Sequence, residues 1–564
     1  MPTDLPATLC AAFQRTVARD PDAVALRTPG DAVTLTWREY GARVRRIAAG
    51  LHGLGIRRGD TVGLMLANRP EFALVDAAGM HLGAAPFSVY NTSSAEQVAH
   101  LFGNAGNRVV VCESATLDVV SAAGADLDHV VCVDAERPGT LTLAALEAAD
   151  EDGFDFDAAW RAVGPDDLAT LIYTSGTTGP PKGVQTTHRH VLEQVRAITG
   201  VVGVRDGDRI TSFLPSAHIA DRVTTQYFGA VLGVQVTYVA DARTIGAALV
   251  DTRPTIWFAV PRVWEKLKAA LEAQVPGLDP ASAPEALRGQ LRAAIGLDRC
   301  RWAWSGAAAV APETLDFFTG LDVPLVELWG MSEVTGAGLL NPPDRPRVGT
   351  VGLPLPGLET RLLDDGELLV RAPYLTSGYR GDPERTAEAI DAEGWLHTGD
   401  VACVDADGYV TIVDRKKEII ISAGGKNMSP ANIESTLKVG CPLAAAITVV
   451  GDGRPYNVAL VALDPDAAAA YAAGHGLAPE PAVLAQDPGL RAAVAAGIAA
   501  GNARLSRVEQ VKEFEVLASF WEPGGDELTP TLKLRRRPIA AKYADVIDRL
   551  YGGPAAQRGV PGRS

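Results

Sequence analysis

The chain has 564 residues, 47% of them hydrophobic, and 68 acidic against 52 basic side chains give a formal net charge of −16. This length sets an expectation of three or four compact units or fewer large ones, and the composition excludes a disordered chain. The acidic balance argues against nucleic acid as a partner, so an anionic ligand has to be held by a local basic cluster or by backbone N–H groups.

In chain order, the N-terminus MPTDLPATLCAAFQR lacks the basic start and apolar run of a secretory signal. Residues 37–54 have helical spacing, TVGLML reads as a strand, residues 71–82 as a helix and RVVVCE as a β-branched strand. Strands alternating with helices predict βαβ units and a mainly parallel sheet. The rhythm returns at ITSFLP, VQVTYVA, TIWFAVP and RWAWSGAA. The uncharged stretch 223–240 is interrupted by Thr224, Thr225, Gln226, Gly229, Gly233 and Gln235. It predicts a buried helix and strand rather than a membrane span, which needs about 20 predominantly apolar residues.

After residue 345, Gly349, Gly352, Gly357, Gly366 and Gly378 punctuate short strands such as GELLVRA, which predicts an antiparallel, barrel-like piece over about 345–414. The charged tetrapeptide Asp414–Lys417 marks the domain boundary. A separate α+β unit follows, with IESTLK helical, AAITVVGD and NVALVALD as strands and an Ala-rich helical insert over about 466–500. The expected fold is thus α/β and α+β. Its large N-terminal domain, 1–414, has two helix-flanked sheet subdomains and the barrel-like piece. A smaller C-terminal domain covers 418–551, and the Gly/Pro/Arg-rich residues 552–564 form a loose tail. The six cysteines, Cys10, Cys112, Cys132, Cys300, Cys403 and Cys441, form no C-x-x-C pair and fit a reducing cytoplasm.

The richest segment is Tyr173-Thr174-Ser175-Gly176-Thr177-Thr178-Gly179-Pro180-Pro181-Lys182-Gly183, after the apolar run LATLIY. Glycines and small hydroxyl residues let backbone N–H groups face a phosphate chain, and Lys182 adds a positive charge. By composition alone it could equally be an idle flexible loop. It is not a Walker A loop, because Pro181 and Gly183 flank the lysine, and Tyr173 excludes a nucleophile elbow. No G-x-G-x-x-G is present.

The string resembles the signature of the adenylate-forming superfamily: acyl-CoA synthetases, luciferases and nonribosomal-peptide adenylation domains. The resemblance runs from about residue 30 to about 545. It implies ATP, Mg²⁺ and coenzyme A as cofactors, with Thr174, Ser175, Gly176, Thr177, Thr178, Gly179 and Lys182 around the phosphates. Glu327-Leu328-Trp329-Gly330-Met331-Ser332-Glu333 is similar to the second core motif. By that likeness Glu327, Leu328, Trp329, Gly330 and Ser332 border the nucleotide, and Glu333 with Thr177 holds the metal. Mg²⁺ ordinarily takes one or two carboxylates plus phosphate oxygens. Alone, Glu333 would read as a residue solvating a turn.

Ser305-Gly306-Ala307-Ala308 resembles the segment whose backbone borders adenine and the acyl channel, although tight strand-to-helix packing would also select small residues. Gly394–Asp400 resembles the segment whose aspartate, here Asp400, accepts both ribose hydroxyls. Asp414-Arg415-Lys416-Lys417 resembles the hinge, 415–417, with Arg415 on the ribose and Lys417 as pivot; a solvated charge run is the plainer reading. Gly424, Gly425 and Lys426 match the loop lining the CoA tunnel. Thr529–Arg537 resembles the C-terminal motif, making Lys533 the catalytic cation, but Leu532 stands where much of the superfamily has glycine. Arg535, Arg536 and Arg537 are either a surface patch or an attraction for CoA phosphates.

The segment from Phe213 to Arg222, with GGKNMSP, most resembles bacterial long-chain and very-long-chain fatty acyl-CoA synthetases. There His218 either faces the acyl carboxylate or is a buried structural histidine. The implied reaction is ATP-dependent fatty acid–CoA ligation by an acid–thiol ligase, through an acyl-adenylate. Alternatives are an acyl-adenylate ligase loading a carrier protein, a CoA ligase for another acid, and a non-catalytic nucleotide or lipid sensor. The partners expected are the acid, ATP and CoA, in a cytoplasmic protein with peripheral membrane contact for an oily substrate; no oligomeric state follows.

Overall fold

The computed structural model describes residues 5–149, 153–174, 180–422, 426–529 and 531–552. Its first sheet has five parallel strands in the order Ala85–Ser88, Thr61–Met65, Val109–Cys112, His129–Cys132, Leu141–Thr142. Its first three strands are buried along their whole length, as a sheet covered on both faces requires. The covering helix Trp37–Gly53 starts at a capping box, with Thr36 accepting from the Glu39 N–H and Glu39 from the Thr36 N–H. The helix Pro70–His81 is buried almost all round.

A second sheet places Ile256–Ala259, Trp302–Ser305 and Leu325–Met331 in parallel, then adds Gly336–Leu340 and Leu353–Pro354 antiparallel. A third joins Arg209–Ser212, Gln235–Tyr238, Val24–Arg27 and Thr34–Thr36. The strands predicted at TVGLML, RVVVCE, VQVTYVA and RWAWSGAA all lie in these sheets. The uncharged stretch after Asp221 differs from a plain α-helix: Arg222–Tyr227 is a π-helical run, followed by the α-helix Phe228–Leu232. The wide turn coincides with buried polar side chains. Arg222, wholly buried, pairs with Asp76 at 2.5 Å and donates to Ser88 Oγ and the Tyr227 hydroxyl. Seams of i→i+5 bonding recur where a helix must aim side chains specially.

Beyond residue 345 the chain forms an antiparallel sheet of four strands, Glu359–Leu362, Glu367–Arg371, Leu396–Val404 and Val410–Arg415. The C-terminal unit packs the sheet Ala444–Val450, Asn457–Leu463, Val511–Val516 against helices that include Pro430–Val439 and Pro488–Asn502. Two apolar clusters there contain only residues from Ile420 onward, whereas the other three end by Val410.

Candidate active site

The strands Leu168–Thr174 and Lys182–Thr187 form an antiparallel hairpin in which Thr174 pairs with Lys182. The phosphate-loop residues Ser175, Gly176, Thr177, Thr178 and Gly179 lie outside the described residues, as do Gly424 and Gly425. What flanks the loop is well placed. The Lys182 ammonium sits 4.5 Å from the centroid of the Tyr379 ring. The Tyr379 hydroxyl donates to Glu333 Oε1 at 2.9 Å. The segment carrying Tyr379 is stitched to the strand after the loop, with Gln185 N–H donating to Gly378 O at 3.0 Å and Arg380 N–H to Gly183 O at 2.8 Å. Thr376 N–H donates to Glu333 O at 2.7 Å. The lysine and the carboxylate therefore share one ring, although 151 positions separate them (333 − 182).

Glu333 is buried, and among the described residues no donor contacts its second oxygen. Among those residues, too, no group of three or more His, Cys, Asp or Glu side chains is disposed to hold a metal. A carboxylate with one oxygen unclaimed by the described residues, joined through Tyr379 to Lys182, fits Mg²⁺, which keeps water and phosphate oxygens in its shell.

The strand Leu325–Met331 supplies the next corner. Leu328 and Met331 are half-buried, while Ser332 is buried at the start of a 3₁₀ turn, Ser332–Val334. A Cβ on Gly330 would lie 1.8 Å from Gly336 O, so only glycine permits the crossing there, and the strand register shifts between Trp329 and Gly330. The Trp329 indole N–H donates to Asp400 Oδ2 at 2.7 Å. The guanidinium of Arg415 forms an ion pair with Asp400 Oδ1 at 2.7 Å and donates to the Thr398 carbonyl at 3.1 Å. Burial raises the Asp400 carboxyl, opposed by the Arg415 charge and the indole bond. Burial also pushes Glu327 up to about 7, against backbone N–H bonds from Val310 and Gly349.

Gly306 and Ala307 follow the strand Trp302–Ser305; Ala307 is in the left-handed region at φ 70°. Leu532 is there too, at φ 65°, with its side chain exposed. Leu532 thus adopts the left-handed conformation that glycine favours, which costs a non-glycine residue on the order of 1 kcal/mol. The turn is held by Thr529 N–H to Lys533 O at 2.8 Å and Lys533 N–H to Thr529 Oγ1 at 3.0 Å.

Lys533 is reached by solvent, yet the protein crowded round it lowers its pKa. Desolvation dominates and Arg415 adds to it, against the pull of Asp400, Glu333 and Glu418. Lys533 also lowers His218, whose half-buried ring is pushed down to about 4, first by desolvation. His218 is therefore neutral at pH 7. Its Nδ1 accepts from Ala220 N–H at 3.1 Å, as an N-cap. The structure thus brings Lys533, Glu333, Asp400, Arg415 and His218 into one electrostatic neighbourhood.

Below His218, Asp221 accepts from Ser216 Oγ at 2.7 Å and Ser212 Oγ at 3.1 Å, and burial holds its carboxyl up at about 7. Lys417 is exposed, while Lys416 bridges Asp365 at 2.6 Å and Glu367 at 2.7 Å. Asp414 accepts from Ser429 Oγ at 2.6 Å and Ala431 N–H at 3.1 Å, fastening the start of the helix Pro430–Val439. Lys426 is exposed, its N–H donating to Ser422 Oγ at 3.1 Å. Of the three C-terminal arginines, Arg536 is committed to Glu434 and Glu418, so it is no loose surface charge. Tyr379 escaped the sequence reading, and Asp221 and Asp414 figured there only as members of motif strings; Gly378 next to Tyr379 was visible only as loop punctuation.

A sheet-based large domain, a small α+β domain and a cluster of side chains of this composition define an adenylate-forming enzyme. The chain belongs to the AMP-binding enzyme family, whose model matches residues 13–380, with the AMP-binding enzyme C-terminal domain matching residues 417–554. Among its relatives is a Mycobacterium tuberculosis protein named as fatty-acid–CoA ligase fadD11, 52% identical over 73% of this chain and 79% of the relative. The long-chain-fatty-acid–CoA ligase FadD15 of the same organism is 34% identical over 94% of this chain and 95% of its own. The fold is also that of the anthranilate CoA ligase AuaEII, solved with anthranoyl-AMP: TM-score 0.78, 20% identity, 97% of this chain and 99% of that one. Among the described residues no helix is long and apolar enough to cross a membrane.

Proposed function

We propose that the chain is an ATP-dependent fatty-acid–CoA ligase acting on long-chain acids. The names of its relatives support the substrate and the acceptor. The observation that carries the chemistry is the approach of Lys533 from the small domain to Glu333, Asp400 and Arg415 of the large one. A carboxylate is a poor electrophile, so it is first joined to AMP. Its oxygen attacks the α-phosphorus of ATP, the bond to the β-phosphate oxygen breaks, and pyrophosphate leaves. Charge grows on phosphoryl oxygens in this step, and preorganised cations are the effective remedy. Lys533 and Lys182 supply fixed positive charge, and Asp400 with Arg415 orients the ribose. Glu333 is the residue to hold Mg²⁺, which neutralises phosphate charge when bound. Neutral His218 adds no second cation to compete for the acyl carboxylate. In the second half-reaction the CoA thiol loses its proton, its sulfur bonds to the acyl carbonyl carbon and AMP departs. The small domain turns about Lys417 between the two, withdrawing Lys533.

The test is pyrophosphate release with ATP, Mg²⁺ and fatty acids of increasing length, with and without CoA. Turnover sustained by CoA and greatest for long chains is expected. Release that CoA does not sustain would assign the chain to carrier-protein loading, and no release with any fatty acid would place the substrate elsewhere.

A further inference from the structure

We propose that Trp329 is a positioning residue for ribose recognition, its indole N–H fixing the Asp400 carboxylate so that one lone pair on each oxygen faces a vicinal diol. This rests on the reading of Asp400 as the ribose acceptor.

A carboxylate has about four acceptor directions, two on each oxygen. Among the described residues the Trp329 N–H takes one of these directions, at Oδ2, 2.7 Å, while the Arg415 guanidinium lies 2.7 Å from Oδ1 as an ion-pair partner. At least one acceptor direction on each oxygen is left by them, as two adjacent hydroxyl donors require. The choice of donor matters. An indole N–H donates only, so it never competes with the carboxylate for a sugar hydroxyl, as a tyrosine hydroxyl could.

The two partners of Asp400 are not held equally. Arg415 is 45% exposed and ends the strand that leads into the C-terminal domain. Trp329 is 8% exposed and belongs to the large domain's sheet. Its ring lies on Gly338, where a Cβ would come within 2.7 Å of the ring carbon Cζ3. The glycine makes room for the larger ring, and the register shift after Trp329 sets its place in the strand. Asp400 is braced by its own N–H, which donates to Thr398 Oγ1 at 3.0 Å. Trp329 is thus the fixed half of the clamp and Arg415 the half that borders the moving domain.

The experiment compares ATP with 2′-deoxy-ATP in pyrophosphate release by the full chain, for Trp329→Phe, Gly338→Ala and Asp400→Asn. Trp329→Phe keeps an aromatic ring over Gly338 and removes the N–H. Hydrogen bonds to charged groups are strong enough that KM for ATP should rise about tenfold, with kcat held within roughly threefold. The preference for ATP over 2′-deoxy-ATP should fall several-fold. The acid limb of kcat/KM should move to higher pH, because the carboxylate loses a donor that favours its ionised form. Gly338→Ala, which displaces the ring without altering it, should lower the same preference and carries the test if the phenylalanine variant does not fold. Unchanged nucleotide preference in both variants, whatever their activity, overturns the proposal and leaves Trp329 a packing residue. Unchanged preference in Asp400→Asn overturns the reading of Asp400 itself, and the proposal with it.

Discussion

Two sets of ion pairs in this molecule have opposite characters. Arg222 and Asp76 are 0% and 1% exposed, with Ser88 and Tyr227 completing the guanidinium's partners. The pairs between the two domains run from largely covered, with Arg262 and Asp464 at 23% and 8%, to exposed. The helix Pro261–Gln274 offers Arg262, Glu265 and Lys266 to Asp464, Lys438 and Asp466, and Glu313 meets Arg504. Lys266 and Asp466 are 54% and 82% exposed. A buried pair whose partner is removed leaves a charge stranded away from water, whereas solvent and salt readily replace an exposed one. The first arrangement suits a part that never opens. The second gives register to two units that separate and rejoin under the proposed mechanism.

The largest effect should come from breaking the buried set. Arg222→Ala should destabilise the protein by about 3–5 kcal/mol, leaving Asp76 unpaired. Denaturant unfolding followed by tryptophan fluorescence measures this, and a loss under about 1 kcal/mol would erase the contrast. Next in size is Lys533→Ala, which removes a cation acting across the domain boundary. Acyl-adenylate formation should fall about a hundredfold or more, while thioester formation from supplied acyl-adenylate changes little and the melting temperature holds. Equal loss of both half-reactions would count against a turning domain.

Glu327 offers an intermediate case, a buried carboxylate with no cation among its partners. Its folded pKa is raised to about 7, above the usual glutamate value. Its contribution to stability is therefore full at acid pH and is lost as pH rises toward and through 7. Glu327→Gln should remove that dependence. Relative to the parent, the variant should be more stable at pH 8 than at pH 5, by on the order of 2 kcal/mol. Melting curves at the two pH values check the sign. The smallest effect is expected at the domain interface. Lys266→Glu should cost no more than roughly 1 kcal/mol, yet widen the interdomain distribution seen by small-angle scattering at low salt. Asp466→Lys in the same chain should restore it, and high salt should blur the difference.

Much of the first layer was legible in the chain. Continuous β-branched runs announced the parallel strands, and the motif strings located Lys182, Glu333, Asp400 and Lys533 before any geometry was known. What stayed hidden is pairing across distance. Nothing near Tyr379 says that its hydroxyl meets Glu333 and its ring meets Lys182, because strand register brings them together. The Trp329–Asp400 bond depends on a register shift and on Gly338, neither visible as periodicity. Arg222 entered the sequence reading only as the last residue of the segment Phe213–Arg222, and the π-helical turn it begins has no sequence period distinct from an ordinary helix over so short a span. Leu532 was noticed as an exception, but only its φ shows that the backbone conformation survived the substitution.

The cysteines have a practical side. Cys10, Cys112, Cys132 and Cys441 are buried and Cys300 is partly covered, each with its thiol raised by desolvation. Cys403 alone is exposed, on the strand Leu396–Val404, opposite Thr411 in the strand that runs into the small domain. A maleimide fluorophore should therefore attach at one native position, a few residues from Asp400, without prior removal of the other thiols. Paired with an acceptor dye on an engineered cysteine in the small domain, it gives a molecular ruler across the joint, readable one molecule at a time while ATP, acid and CoA are added in turn.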